Sequence, residues 1–485
     1  MHANDFLFTM IQSLVESSSL QTDVERVEKL PQSGGDRQYF RVYLKGGNTC
    51  IATFSEDLRE SNTFLYFNRH FKSKGIPVPE VIAVHDSGKC YLQQDLGGQS
   101  LLDVLEKEGY TDSVYKLYEK SLHALAHLQI KGDEGLDYEQ CLQNKSFGKQ
   151  AMLNDLLYFR FYFLDTLGIS YHKENLWNEM ERLSEQLASA QNQYFMYRDF
   201  QSRNIMIQND AVFFIDHQGG MKGPLMYDVA SLLWQAKAQL PSEWKNNLWQ
   251  AYVKHLNELM TNPISSTHLR EQYEGMVLLR LLQVMGAYGF RGRIERKTHF
   301  LSSIPAGLKN IRQFLTETDF LATFPLLKSL LEEISADKYI QTFSTPQATA
   351  ETPLTVRISS FSFLKNGYPA CAGKQGGGFV FDCRGILNPG RIEQYKTQSG
   401  LDQAVKIFLG QETRMPEFLK SVYETVDIAV EDYLARGFDA LEIHFGCTGG
   451  QHRSVFAAES LNKHLQQKYN VRTVLQHLNQ SNWVR

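Results

Sequence analysis

YRDFQSRNIMIQNDAVFFIDHQG, residues 197–219, sets Asp199, Asn204 and Asp216 among short strand-like runs. Asp199 and Asn204 stand as D-x-x-x-x-N, and Asp216 ends the run 212–216, just before His217. Moving a phosphoryl group needs a carboxylate that orients the attacking hydroxyl and takes its proton. It also needs oxygen ligands that hold Mg2+ against nucleotide phosphates. Asp199 suits the first task, and Asn204 and Asp216 suit the second. Asp and Asn also favour turns, so the spacing alone would read as a capped loop. Joined to an Ile-Asp pair after a hairpin, behind a β-rich region, it reads as a site of phosphoryl transfer.

The text around it divides in two. Residues 38–54 (QYFRVYLKGGNTCIATF) alternate in strand fashion about Gly46-Gly47-Asn48, a hairpin signal. A helix is expected over 60–74 and strands over 80–85 and 90–94. After Gly97-Gly98 the period becomes helical, over 100–130, 149–167 and 173–190. Short strands return at 194–197, 205–207 and 212–216, and helices dominate from 228 to 334. A β-rich part before a helical part gives an α+β domain of two lobes with a cleft between them. We place it at 1–334, with the small lobe at about 1–97 and the large one at about 98–334. Residues 335–354 are rich in Ser, Thr, Ala, Gln and Pro and read as a linker. Residues 355–485 alternate strands and helices, a small α/β domain with a partly parallel sheet.

The first half resembles the aminoglycoside/choline-kinase-like phosphotransferases, a branch of the protein-kinase-like fold. More narrowly it is similar to the anomeric N-acetylmuramate/N-acetylglucosamine kinases of cell-wall recycling. Besides residues 197–219, the resemblance rests on GGDRQYFRV (34–42), GIPVPEVIAV (75–84), QQDLGG (93–98), LNDLLYFRFYFLDTLGI (153–169), IDHQGGMKGPLMYDVASLL (215–233) and LLRLLQVMGAYG (278–289). It implies ATP and Mg2+ as cofactors, Asp199 as the catalytic base, and Asn204 and Asp216 as metal ligands. Gly34 and Gly35 would form the loop over the phosphates, and Gln94, Asp95 and Leu96 the hinge that holds adenine. Two positions depart from the pattern. Tyr197 stands where many relatives have His, and the strand CIATFSED (50–57) lacks the usual phosphate-binding lysine. Arg37 and Arg41 are the candidates for that cation. A non-catalytic adapter with a pseudokinase half is the reading that the missing lysine favours.

Residues 444–459 (HFGCTGGQHRSVFAAE) hold a second pattern. A strand enters Cys447-Thr448-Gly449-Gly450-Gln451-His452-Arg453-Ser454 and a helix leaves it. Glycine N–H groups, a helix N-terminus and an arginine fork make an anion cradle. The spacing C-x-x-G-x-x-R-S is also that of a cysteine phosphatase, with Cys447 as nucleophile and Asp382 or Asp402 as general acid. The whole segment, however, resembles the C-terminal domain of the RNase adapter protein RapZ. That rests on ISSFSFLKNGYP (358–369), FVFDCRGILNP (379–389), TQSGLDQAV (397–405), the Cys447 loop and QHLN (476–479). The resemblance implies a pocket for glucosamine 6-phosphate walled by Cys447, Thr448, Gly449, Gly450, His452, Arg453 and Ser454. Asp382, Arg384 and Asn388 would lie opposite, and the domain would serve oligomer contacts.

The 485 residues are 42% hydrophobic and 21% charged with a net charge of −4, ordinary values that carry no electrostatic footprint for nucleic acid. Residues 1–20 lack the basic start and apolar core of a signal peptide and read as an amphipathic helix. The six cysteines form no C-x-x-C pair, in keeping with a reducing cytoplasm. These readings join into a cytoplasmic amino-sugar 1-kinase fused to a hexosamine-phosphate sensor that tunes it, with no membrane or nucleic-acid partner.

Overall fold

The computed structural model describes residues 3–30, 37–189, 193–369 and 377–484. The chain forms two compact units, Met1–Phe343 and Ser344–Arg485. Gly34 and Gly35 lie outside the described residues. Among those described, no helix is long and apolar enough to cross a membrane.

The first unit begins with helix α1 (Ala3–Ser17) and strands β1 (Val24–Lys29), β2 (Gln38–Leu44), β3 (Thr49–Phe54), β4 (Val81–Val84) and β5 (Cys90–Gln94), with α2 (Leu58–Ser73) between β3 and β4. The strands form an antiparallel sheet in the order β1-β2-β3-β5-β4. Alternation in β2 buries Phe40, Val42 and Leu44, which pack with Ile11, Leu14 and Val15 of α1 into a small core of their own. Gly46 and Gly47 turn the β2–β3 hairpin at φ values of 101° and 87°, a region L side chains rarely enter. Helix α2 belongs elsewhere. Its Phe67 and Phe71 join the large core of the helical lobe and pack on Phe195, with ring centroids 5.6 and 4.8 Å away.

The helical lobe contains α3 (Leu101–Glu108), α4 (Asp112–Lys131), α5 (Lys149–Phe159), α6 (Lys173–Ala188), α7 (Met226–Leu233), α8 (Ser242–Leu259), α9 (Ser266–Tyr288), α10 (Thr298–Leu301), α11 (Ile304–Glu317), α12 (Pro325–Ile334) and α13 (Asp337–Phe343). Two antiparallel pairs carry the loops of interest: β6 (Gln193–Met196) with β9 (Met221–Pro224), and β7 (Ile205–Gln208) with β8 (Ala211–Phe214). The linker expected at 335–354 is corrected at its start. Residues 337–343 are helical, and Ile340 is buried in the large core. Tyr339 and Phe343 pack on that core beside it, and Arg312 bonds the Ser335 carbonyl and Asp337, so the start of the segment is docked although its composition reads as loose.

Helices α5 and α9, with the π-helical turns Arg160–Leu164 and Gly289–Ile294 that follow them, meet at close range. A Cβ at Gly286 would lie 2.8 Å from the Phe159 nitrogen, and one at Gly289 would lie 2.1 Å from the Tyr162 carbonyl oxygen. Gly289→Val is therefore expected to destabilise the unit by about 1–3 kcal/mol through overpacking, read as a fall in the urea midpoint. An unchanged midpoint would contradict the close approach.

The second unit is built on β10 (Thr355–Ser362), β11 (Gly378–Asp382), β12 (Ala440–Cys447) and β13 (Arg472–His477), with α14 (Gln403–Gln411), α15 (Met415–Arg436) and α16 (Arg453–Tyr469). Every described pairing is parallel, in the order β11-β12-β10-β13, where the sequence suggested only a partly parallel sheet. Val356, Ile358, Leu441, Ile443 and Phe445 pack with Val426, Val430, Ala458 and Leu461 of the helices. Parallel strands bring Ser362, Asp382 and Cys447 to the same carboxyl edge, with Ser362 paired to Cys447 and Asp382 to Gly446. That edge is where open α/β sheets bind ligands.

Candidate functional site

Residues 197–204 are held from behind by a buried carboxylate. Asp228, near the start of α7, accepts the backbone N–H of Tyr197 at 2.7 Å and of Arg198 at 3.0 Å. Burial pushes its carboxyl up to about 7 against those two donors. Arg198 sits at φ 77° and forks onto Asp155 with two 2.9 Å bonds. Tyr197 donates its hydroxyl to the Ile215 carbonyl, so it ties the loop to the chain just before Asp216. His217 is fully buried and stacked on Phe64 at 4.7 Å. Burial lowers it to about 3, so it is a neutral core residue.

These tethers set out the three oxygen-bearing side chains. Asn204 donates its amide to the Asp199 carbonyl at 2.9 Å, which leaves its Oδ1 as an acceptor. Asp216, in the left-handed region at φ 70°, accepts from Arg37 Nη2 and Gln218 Nε2, both at 2.8 Å and both on Oδ1. Its Oδ2 remains for a hard cation. Two such oxygens suit Mg2+, which keeps several waters and phosphate oxygens as its other ligands. The Asp199 side chain is half exposed.

Asn204 and Asp216 line a cavity of about 260 Å3, together with Arg37, Gln94, Asp95 and Leu96. Ile51 and Met206 add apolar surface to it. At its rim Arg41 forks onto Asp95 at 2.7 and 3.1 Å and reaches the Gly97 carbonyl at 3.0 Å. Arg41 thus braces the segment after β5, and Arg37 is the cation inside. Arg37 is buried, with Nε 3.1 Å from Glu60 of α2 and Nη2 2.8 Å from Asp216. In protein kinases a strand lysine pairs with a helix glutamate beside the metal-binding aspartate, and here an arginine from the β2 edge makes that pair. Asp199 lines a separate cavity of about 220 Å3 with Trp234, Gln235 and Arg280.

In the second unit the Cys447 loop wraps around its own thiol. Cys447 Sγ lies 3.2 Å from the Gly450 N–H that donates to it and 3.1 Å from Ser454 Oγ. Gly450 turns at φ 68°. Gln451 donates to the carbonyls of Gln398 and Val484 at 2.7 and 3.0 Å, and Trp483 Nε1 donates to that of Gly450. His452 bonds the Tyr395 carbonyl at 2.9 Å and is held below its usual pKa by burial.

Arg453 differs from the expected phosphate fork. It is buried, and its Nη1 donates to the carbonyls of Arg384 and Ile386 at 3.0 and 2.7 Å. Its Nη2 reaches Thr448 Oγ1 at 3.4 Å. It therefore staples the loop to the segment after β11 and brings the two expected sides of the pocket together. Arg384 pairs with Asp382 at 2.7 Å, and Asn388 caps the Gly390 N–H at 3.2 Å. Glu60, Gln218, Arg203, Arg280 and Arg291 were absent from the sequence-derived set. Arg203 and Gln218 lie within residues 197–219 and Arg280 within 278–289, so each sat in a quoted motif with no role attached to it, whereas Glu60 and Arg291 lay outside those motifs.

The phosphotransferase enzyme family model matches residues 27–260, and the RapZ C-terminal domain model matches residues 354–480. Curated relatives include a nucleotide-binding protein of Thermotoga sp. (strain RQ2), 31% identical over 180 residues, which are 37% of this chain and 56% of that protein. Another, from Bacillus cytotoxicus, is 35% identical over 185 residues, 37% and 60% of the two chains. The chain thus spans a little over half the length of these relatives. Among solved structures, a choline/ethanolamine kinase family protein from Mesorhizobium loti aligns with a TM-score of 0.43 at 12% identity, over 67% of this chain and 99% of that one. A spectinomycin phosphotransferase aligns with a TM-score of 0.42 at 10% identity, over 67% and 97%. The match to the phosphotransferase enzyme family thus falls in the first unit and the match to the RapZ C-terminal domain in the second.

Proposed function

We propose that the first unit is an ATP-dependent kinase acting on the anomeric hydroxyl of amino sugars of the N-acetylmuramate and N-acetylglucosamine type, as in cell-wall recycling. The second unit binds a hexosamine phosphate and tunes the first. The observation that carries the kinase reading is the arrangement around residues 199–204. Asp199 borders one cavity, while Asn204 and Asp216 border another whose wall includes Gln94, Asp95 and Leu96. Adenine suits the apolar end of that cleft, and Arg37 suits the phosphates. Asp199 orients the sugar hydroxyl and takes its proton as the bond to phosphorus forms. Asn204 Oδ1 and Asp216 Oδ2 would hold Mg2+, which supplies charge neutralisation at the phosphates. ATP consumption by the full chain with Mg2+ and either amino sugar tests the reading. Turnover on choline or an aminoglycoside, with none on amino sugars, would overturn the substrate class.

In the second unit the electrostatics favour binding over hydrolysis. Hydrogen bonds from the Arg384 side chain hold Asp382 below the usual carboxylate range, and hydrogen bonds from the Ser399 backbone and hydroxyl do the same for Asp402. Neither is a ready proton donor at neutral pH. A serine at 447 can still accept from the Gly450 N–H, so Cys447→Ser is expected to bind glucosamine 6-phosphate within roughly threefold of the parent. Phosphate release from that sugar, lost in the variant, would restore the cysteine-phosphatase reading.

A further inference from the structure

We infer that the cavity beside Asp199 recognises an anionic group on the acceptor, through Arg203, Arg280 and Arg291. The inference rests on the kinase reading of the first unit and narrows the sugars it takes. Arg280 projects from α9 and is only 4% exposed. Its Nη1 donates to Gln283 Oε1 at 2.5 Å and lies 3.4 Å from the Tyr227 hydroxyl. Its Nη2 is 3.6 Å from Asp199 Oδ1, and its Nε makes no hydrogen bond among the described residues. A buried guanidinium is costly unless anions and acceptors surround it. The buried Asp228 carboxylate also feels Arg280, but it is held by the N–H groups of Tyr197 and Arg198, and Asp155 is taken by the Arg198 side chain.

Arg203 follows Asp199 in the same loop, and Arg291 lies in the π-helical turn after α9, stacked near Phe300 at 5.4 Å. Both line the cavity with Arg280 and Asp199. Neither has an ion pair among the described residues. Three cations thus face one carboxylate that the chemistry already employs. A neutral sugar leaves that surplus uncompensated. A carboxylate or phosphate on the sugar would complete it, since the planar arginine fork matches both groups.

The test uses calorimetry on the full chain with Mg2+ and a non-hydrolysable ATP analogue. The probes are N-acetylmuramate, N-acetylglucosamine and N-acetylglucosamine 6-phosphate, and the variants are Arg203→Gln, Arg291→Gln and Arg280→Gln. An anionic sugar is expected to bind at least about tenfold tighter than the neutral one, and each variant to narrow that ratio by about tenfold. The carboxylate and phosphate arms identify which anion is read. Arg203 and Arg291 are less buried than Arg280, so their variants serve if Arg280→Gln does not fold. Equal affinity for all three sugars overturns the inference. So does a cluster that serves the nucleotide, seen as weakened analogue binding with an unchanged sugar ratio. Turnover of both amino sugars with a ratio near one would leave the kinase reading standing while this one falls. A preserved ratio without turnover on any sugar would do the reverse.

Discussion

Asp199→Asn is expected to lower kcat for the proposed amino-sugar phosphorylation by about 10²- to 10⁴-fold, the usual cost of losing a positioned general base, and to leave the KM for ATP nearly unchanged. The split follows from geometry. Asp199 lines the cavity proposed for the acceptor, whereas the cleft next to residues 94–96 is lined by Asn204 and Asp216. Asparagine keeps the size of the side chain, and the Asn204 bond to residue 199 uses the backbone carbonyl, so the loop keeps its shape. Steady-state ADP release at saturating sugar, with ATP varied, reads both parameters. A variant with parental kcat would remove Asp199 from proton transfer. A variant that loses ATP affinity as well would point to a disturbed loop, because residue 199 does not line the cleft with Asn204 and Asp216.

Arg37→Ala is expected to lower kcat/KM for ATP by 30-fold or more, from the roughly 2 kcal/mol or more that follows truncation of one member of a buried charge pair. The guanidinium spans two carboxylates, Glu60 at 3.1 Å and Asp216 at 2.8 Å. Without it Asp216 Oδ1 keeps only the Gln218 donor, and the cleft loses its inner cation. Arg37→Lys restores charge without the fork, so partial recovery is the expected result. Kinetics are read beside thermal unfolding, since a fall in ATP use at unchanged melting temperature separates a binding role from a folding one. Parental kinetics in Arg37→Ala would remove Arg37 from phosphate binding, whereas absence of sugar-dependent ATP use in the parent itself would favour the pseudokinase reading.

The candidate catalytic loop was legible because its residues are close in the chain and their chemistry fixes their spacing. Strands with clean alternation, such as β2, were legible for the same local reason. Strand β1, VERVEK, was not foreseen: its burial runs intermediate and exposed along its length, so no alternation marks it, and its pairing comes from β2. The Arg37–Glu60 pair lies 23 positions apart in sequence, and only the fold of β2 against α2 identifies it. Arg280 is hidden in an apolar helix, where a single cation reads as an irregularity of the core. In the second unit the order of motifs identified the loop, while the use of Arg453 by backbone carbonyls depended on where the segment after β11 comes to rest.

The rooting of α2 in the large core bears on how such a chain can be controlled. In protein kinases the corresponding helix is a control lever, and its displacement breaks the strand–helix ion pair. Here an outward swing would pull Phe67 and Phe71 from a packed interior, and emptying the space of one buried phenylalanine costs about 3–5 kcal/mol. That is more than an ordinary effector supplies, since coupling free energies run at about 1–3 kcal/mol. The strands, with their own small core against α1, are the cheaper part to move. An off state of this unit would accordingly be a raised lid of strands over an intact floor, visible in hydrogen exchange as early opening of β1–β3 with α2 still protected.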